Sequence, residues 1–359
     1  MAIPSGLKPH ARAAGLIAVY FAIFAYPPFR IGGVLWPDWS PGPLGLGLIL
    51  AGPAIGWLIH QRWRNSLTRF LLRLTYTWVG IAFLSFSVIV LWEILGLIPA
   101  GARVFTDSLL VTCLTATVGY ALLSAHRLSV RRVRVNAPGL SEPLRAVQIS
   151  DVHIGSRTTA FLRRIISKVN RLRPDVVFIT GDLVDLRELP DDIYAPFEAL
   201  DAPAYFVIGN HERYIGSDEV CARLEGKGIN VLRDRSIVDG ELQLIGIDDA
   251  DAREQVPRVL ADITVDPEKF SILLYHRPDG FEAASEHGVH LMLCGHTHNG
   301  QILPFNYLVR RVFPRISGRY EHGGSVLYVS PGTGTWGPLM RLGSTNEITE
   351  LELLPVDGG

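Results

Sequence analysis

The chain has 359 residues, of which 48% are hydrophobic and only 19% charged, against roughly 25% charged in ordinary soluble domains. The net charge of -1 excludes the strong basic excess of a general nucleic-acid coat. Three scattered cysteines, Cys113, Cys221 and Cys294, without a C-x-x-C spacing, exclude a zinc ribbon or a disulfide framework.

The shortage of charge is localised. Residues 14–125 carry few charged side chains and 126–359 carry most of them, which divides the chain into a membrane portion and a soluble one. Four apolar runs follow one another. The first, 13–29, is interrupted by Pro27-Pro28, and the second, 43–59, is rich in Gly. The third, 74–97, holds only Glu93 as a charge, and the fourth, 104–125, only Asp107. The last two exceed the roughly 20 residues that cross a hydrocarbon core as helix, and the first two lie near the lower limit. Lys8 and Arg12 ahead of the first run resemble the basic start of a secretory signal, but no clear A-x-A site follows and three more apolar runs do.

Basic residues set the expected orientation. Lys8 and Arg12 precede the first run, Arg62, Arg64, Arg69 and Arg73 follow the second, and Arg127, Arg131, Arg132 and Arg134 follow the fourth. The other two connections are poor in them, with Arg30 balanced by Asp38 in one and Arg103 alone in the other. Four spans put the basic sites on one side, the cytoplasmic side, together with everything after the fourth run. Glu93 and Asp107 are expected at the outer helix ends, solvated at the interface. The expected organisation is a transmembrane region over 1–128, a basic linker over 129–143 that could also attract anionic head groups, and a soluble domain over 144–359.

Beyond Pro138, short apolar runs alternate with helical patterns. Runs 144–149, 176–180, 204–208, 242–247, 271–275, 289–293, 325–329 and 347–353 read as strands, and 159–172, 218–225 and 255–262 as helices. This predicts a layered α/β domain with mixed sheets. The unusual polar residues stand just past predicted strand ends, where ligand crevices of α/β sheets lie. They occur in Ser-Asp151-Val-His153, Thr-Gly-Asp182-Leu-Val-Asp185, Gly-Asn210-His211-Glu212, Tyr-His276-Arg277 and Gly-His296-Thr-His298. Alternation in an extended segment brings Asp151 with His153, and His296 with His298, to one side. Imidazole with carboxylate suits Mn, Fe, Zn, Co or Ni better than Ca or Mg, and the lack of a thiolate argues against structural zinc.

These five segments, in this order, resemble the calcineurin-like metallophosphoesterase superfamily, with its D-x-H, G-D, G-N-H-[DE], H and G-H-x-H pattern, over about residues 144–354. The run Gly295-His-Thr-His-Asn-Gly-Gln301 and the apolar N-terminal region resemble a membrane-associated bacterial branch. That branch includes UDP-2,3-diacylglucosamine pyrophosphohydrolases and related phosphodiesterases. The resemblance implies a four-layer αββα sandwich holding two divalent metal ions. It implies that Asp151, His153 and His298 hold one ion, Asn210, His276 and His296 the other, and that Asp182 bridges them. His211 is implied as the non-ligand catalytic group that contacts the phosphate or protonates the leaving oxygen. Glu212 either orients His211 or is a solvated loop carboxylate, and Asp185 braces the loops. Because bound imidazoles must be neutral, activity is expected to fall below about pH 6.5.

The substrate is less legible. Residues 303–323 mix Arg310, Arg311, Arg315 and Arg319 with apolar side chains, which suits either an interfacial, lipid-gripping segment or an ordinary packed loop. The Gly-rich run Pro331-Gly-Thr-Gly-Thr-Trp-Gly-Pro338 reads as a turn or as a phosphate cradle, and Asp248, Asp249 and Asp251 as a capped turn. The expected partners are membrane lipids and a phosphate-ester substrate, a lipid or UDP-sugar lipid, with no specific nucleic acid. The expected reaction is hydrolysis of a phosphodiester or pyrophosphate at the cytoplasmic leaflet of the inner membrane. A phosphomonoesterase or cyclic-nucleotide phosphodiesterase with a soluble substrate is the alternative, and a scaffold with an inactive domain is the non-enzymatic one. Oligomeric state and metal identity have no signal in the sequence.

Overall fold

The computed structural model describes residues 9–97, 106–187 and 189–356. Lys8, Arg103 and residues 104–105 of the fourth apolar run therefore lie outside the described residues. The chain divides into two compact units. One comprises Met1–Ser124, Ile302–Pro304 and Gly337–Leu342, and the other Ala125–Gln301, Phe305–Trp336 and Gly343–Gly359.

The first unit contains α1 (Pro9–Phe24), α2 (Tyr26–Leu35), α3 (Pro43–Arg62), α4 (Ser66–Gly96) and α5 (Asp107–Ser124). Four stretches are long and apolar enough to cross a membrane, Ala14–Leu35, Pro43–Arg62, Ser66–Gly96 and Asp107–Ser124. Pro27 and Pro28 break the first stretch into α1 and α2, because the ring removes an N–H donor and crowds the preceding turn. Asn65 starts α4 with a capping box, accepting from Thr68 N–H while the Thr68 hydroxyl accepts from the Asn65 N–H. At 1.5 Å per residue α4 is about 46 Å long, more than a ~30 Å hydrocarbon core, and its first turns carry Arg69 and Arg73.

Glu93 and Asp107 are not simply solvated. Arg30 of α2 lies 3.2 Å from Glu93 of α4 and 2.7 Å from Asp107 of α5, and the Tyr26 hydroxyl donates to Glu93 at 2.5 Å. Arg30 thus pairs across three helices rather than with Asp38, as charges among apolar helices favour partners over isolation. Ile302 and Met340 pack with Leu84 of α4 and Ala121 of α5.

The second unit is built on two six-stranded sheets. The first has the order β1-β12-β2-β3-β4-β5, with β1 (Leu128–Ala137), β2 (Leu144–Ile149), β3 (Val176–Thr180), β4 (Ala204–Val207), β5 (Asn230–Val231) and β12 (Asn346–Pro355). The second has the order β10-β11-β9-β8-β7-β6, with β6 (Arg235–Asp239), β7 (Leu242–Gly246), β8 (Phe270–Leu274), β9 (Leu291–Cys294), β10 (Gly318–His322) and β11 (Ser325–Val329). Both sheets are mixed, with β2, β3, β4 and β5 parallel in one and β7, β8, β9 and β11 parallel in the other. One core lies between the sheets, with Phe178, Val207, Leu244, Ile272, Leu293 and Leu351. Helices α6 (Thr159–Arg171) and α8 (Ser217–Glu225) cover the outer face of the first sheet, and α9 (Gln255–Leu260) and α10 (Phe281–Glu286) that of the second. The result is the expected αββα layering. Helices α7 (Asn210–Ile215) and α11 (Phe305–Val312) complete the list.

The basic linker expected over 129–143 is largely strand. β1 pairs in parallel with β12, from Leu128↔Asn346 to Ala137↔Pro355. Val133, Val135 and Ala137 point into the core while Arg132 and Arg134 point out to Glu350 and Glu352, at 2.7 and 2.9 Å. The period-two pattern was present in the sequence, but its polar phase is arginine, which reads as a membrane-flanking charge cluster. Within 303–323, expected as a single insertion, the structure has α11 and then β10.

Candidate metal centre

The parallel strands of both sheets end at one rim of the second unit. Asp151 and His153 follow β2, Asp182 follows β3, Asn210 and His211 follow β4 as the first residues of α7, His276 follows β8, and His296 and His298 follow β9. The structure brings seven of these side chains together, and Asn210 stands next in the chain to His211, whose N–H donates to Asp182 Oδ1 at 2.9 Å. Ligand atoms of Asp151, His153 and His298 lie within 4.8 Å of one another, as do those of Asp182, His276 and His296. A third such group is His153, Asp182 and His211. Asp182 thus belongs to both the second and third groups, next to the first.

The local backbone differs from the expected extended segments. Asp151, His153, Asp182, His296 and His298 all have φ between 50° and 73°, in the left-handed region. Among the described residues, five of the nine non-glycine ones with positive φ are candidate ligands, and such conformations cost about 1–3 kcal/mol each, so strain is concentrated at this rim. Two glycines permit the closeness. A Cβ at Gly209 would overlap Asp182 Oδ1, and one at Gly295 would overlap Ser150 Oγ and Asp151 Oδ2.

Hydrogen bonds fix which ring nitrogen faces inward. Asp185 accepts from Nδ1 of His153 at 2.5 Å and of His211 at 2.8 Å. Thr180 O accepts from Nδ1 of His276 at 2.8 Å. In the neutral tautomer each of these rings then presents an Nε2 lone pair to the rim. Those nitrogens face further ring nitrogens and a carboxylate oxygen. His153 Nε2 is 2.9 Å from His298 Nε2, and His276 Nε2 is 3.2 Å from both His296 Nδ1 and Asp182 Oδ2. The buried Oδ1 of Asn210 has no hydrogen-bond partner among the described residues. Converging ring nitrogens, buried carboxylates and an orphaned amide oxygen are a donor set that fits a pair of cations.

Electrostatics of the metal-free protein point the same way. Burial alone would raise the Asp182 carboxyl, but the charge and hydrogen bond of His276 hold it well below the usual carboxylate range. Burial depresses His276, yet Asp182 outweighs it and lifts the imidazole to about 10. His211 likewise rises to about 9, burial being overcome by the hydrogen bond to Asp185 and the charge of Asp182. Burial, aided by the nearby His276 charge, pushes His296 down to about 3.

Glu212 neither orients His211 nor faces solvent. Its buried carboxylate accepts from the backbone N–H of Gly209, Asp182, Leu183 and Val184, at 2.8, 2.9, 2.7 and 3.0 Å, tying α7 to the Asp182 loop. Asp249 and Asp251 are held by arginines. Arg277 Nε donates to Asp249 at 2.5 Å, Arg213 Nε donates to Asp249 at 3.1 Å, and both side chains reach Asp251. This lattice joins the residue after His276 to the helix bearing His211. Nothing along the chain signals it beyond the charges themselves.

The Gly-rich run does approach the rim. Thr333 N–H donates to Ser150 O at 2.7 Å and Gly334 N–H to Asp151 O at 2.9 Å. Trp336 lies edge-on to His211 at 6.3 Å, its backbone held by the Gln301 side chain. Of the four arginines in the 303–323 segment, Arg315 pairs with Glu282, and Arg319 pairs with Glu321 at 2.7 Å and donates to Arg134 O. Those two are engaged away from the ligands. Arg310 and Arg311 lie exposed on α11. This segment reaches the centre through Phe313, whose ring meets His296 edge-on at 5.0 Å, and through Ile316 O, which accepts from the Thr297 hydroxyl.

A layered α/β sandwich whose strand ends gather Asp, Asn and His ligands for two cations defines a dinuclear-metal hydrolase. The calcineurin-like phosphoesterase family matches residues 144–300. A metallophosphoesterase of Helicobacter pylori is 30% identical over 290 residues, 77% of this chain and 78% of that protein. One of Campylobacter jejuni is 33% identical over 238 residues, 62% of this chain and 63% of that protein. A Danio rerio protein described as a transmembrane protein with metallophosphoesterase domain is 34% identical over 281 residues, 69% of this chain and 63% of that protein. The chain belongs to the calcineurin-like metallophosphoesterases and is a metal-dependent phosphoric ester hydrolase.

Two bound divalent cations would supply Lewis-acid stabilisation of phosphate oxygens and a nucleophilic water of lowered pKa. Asp151, His153 and His298 would hold one, Asn210, His276 and His296 the other, and Asp182 both. On this division His211, which also lies with His153 and Asp182, would stay outside the ligand set. Asp185 orients its ring through Nδ1 and, with the Asp182 charge, favours the protonated imidazole, whose Nε2–H could donate to a phosphate or leaving-group oxygen.

Proposed function

We propose that this protein is a membrane-anchored phosphodiesterase or pyrophosphatase acting on a lipid-linked or nucleotide-linked substrate at the cytoplasmic leaflet. The carrying observation is that one chain joins a candidate dinuclear centre to four helical stretches of spanning length, with only residues 125–127 between α5 and β1. The four residue steps from Ser124 to Leu128 extend at most about 14 Å, so by chain length alone β1 starts close to the end of the last spanning helix. An anchored site meets membrane-borne substrate at high effective concentration. The arginines after α3 and α5 support a cytoplasmic orientation. The name of the Danio rerio relative is consistent with the anchoring.

The test uses the full chain in nanodiscs with Mn, offered UDP-diacylglucosamine, an aryl phosphodiester, an aryl phosphomonoester and a cyclic nucleotide. Preference for the lipid-linked pyrophosphate or the diester supports the proposal. A dominant rate on the monoester or the cyclic nucleotide, equal in discs and in detergent, replaces it with the soluble-substrate reading. Reporter fusions after residue 359 give the orientation, and an extracytoplasmic signal rejects the leaflet assignment.

A further inference from the structure

Helix α11 has no buried residue. Phe305, Leu308 and Val312 are 42%, 40% and 49% exposed, and their spacing sets them along one side of the helix. Tyr307, 66% exposed, and the exposed Arg310 and Arg311 lie off that stripe. The second unit exposes eight large apolar or aromatic side chains among its described residues, and four of them fall in these eight residues. Such concentration on one short helix marks a surface that meets something apolar. Arg310 and Arg311 have no ion pair or hydrogen bond among the described residues, so the surface also suits negative charge.

Chain connectivity selects the occupant. Ile302 packs in the first unit with Leu84 of α4 and Ala121 of α5, and Phe305 begins α11 three residues later. Three residue steps cover at most about 11 Å, so α11 starts near helices of spanning length. We infer that α11 docks on the anionic bilayer its own chain spans, with Phe305, Leu308 and Val312 at the acyl boundary and Arg310 and Arg311 on lipid phosphates. This rests on the membrane-anchored reading above. It ties the bilayer surface to the centre, because Phe313, next along the chain, covers His296, and Ile316 O accepts from the Thr297 hydroxyl.

The experiment places an environment-sensitive fluorophore on Leu308→Cys in the full chain, with Cys113→Ala and the buried Cys221 and Cys294 retained. A second label at Val312→Cys guards against a local effect of the first. The protein is put into nanodiscs of phosphatidylcholine alone or with one-quarter phosphatidylglycerol, with and without lipids carrying a shallow nitroxide. The expected result is quenching in the anionic discs, reduced by R310E/R311E to the level seen in phosphatidylcholine alone. Water-like emission without quenching in both discs overturns the inference. Quenching equal in both discs and unchanged by R310E/R311E overturns its anionic part. Co-elution with the discs and hydrolysis of an aryl diester are read on the same samples. An incorporated, active but unquenched protein rejects the docking alone, whereas a quenched protein without hydrolysis rejects the proposed reaction and keeps the docking.

Discussion

Asp185 holds the Nδ1 atoms of both His153 and His211, so one carboxylate orients a candidate ligand and the candidate proton donor. Asp185→Asn is expected to lower turnover about 10–100-fold, the usual cost of losing such a supporting partner. Asp182→Ala removes a group shared by both candidate cation sites and is expected to lose more. Steady-state rates on an aryl diester, with metal content measured in parallel, check the order, and near-normal turnover by Asp182→Ala would reject its bridging role. The imidazoles also set a pH window. In the metal-free protein His276 and His211 are raised to about 10 and about 9, above their ordinary value. Their protons favour the folded state, and that contribution is fully present below pH 6.5, the ordinary imidazole value, and is lost as pH rises through 9 to 10. Metal must displace the proton on His276. Binding is therefore expected to release protons and to tighten between pH 6.5 and 9, as calorimetry in buffers of different ionisation enthalpy would report. Equal affinity at both ends of that range would contradict the assignment.

At the scale of elements, α7 is six residues long and would not be stable by itself. Glu212 fastens it by taking four backbone N–H groups in a fully buried position. Glu212→Gln replaces an all-acceptor group with one that places N–H against N–H. The expected loss is about 1.5–3 kcal/mol, read as a lower melting temperature, together with weaker metal binding, since the Asp182 loop and Asn210 both hang on this carboxylate. A melting curve identical to the parent would show that the four bonds are dispensable. The glycine at 209 has a matching role, because only a residue without Cβ lets the turn into α7 lie against Asp182.

For the whole molecule, β1 decides where the catalytic unit begins. A truncation starting at residue 144, as the sequence reading would place it, removes the partner of β12 and leaves that strand's edge unpaired. It also removes the buried Val133 and Val135, worth together about 4 kcal/mol of burial at ~2 kcal/mol each. A chain starting at Ala125 keeps both. The shorter form is expected to aggregate or to melt well below the longer one, as size exclusion and thermal melting would show. Equal behaviour of the two would mean that β1 is an accessory strand.

Composition alone determined that this chain has an apolar, helix-forming front and a layered α/β remainder, since span length and strand period are local properties. The identities at the strand ends determined the candidate ligands, because each lies in a short motif whose chemistry is legible residue by residue. Other features depended on which strands became neighbours. The Arg30 pairing across three helices, the double grip of Asp185, the burial of Glu212 and the strand character of an arginine-rich stretch all join residues from separate segments. A linear pattern records what each side chain can do, and only the packed sheets decide which partner it meets.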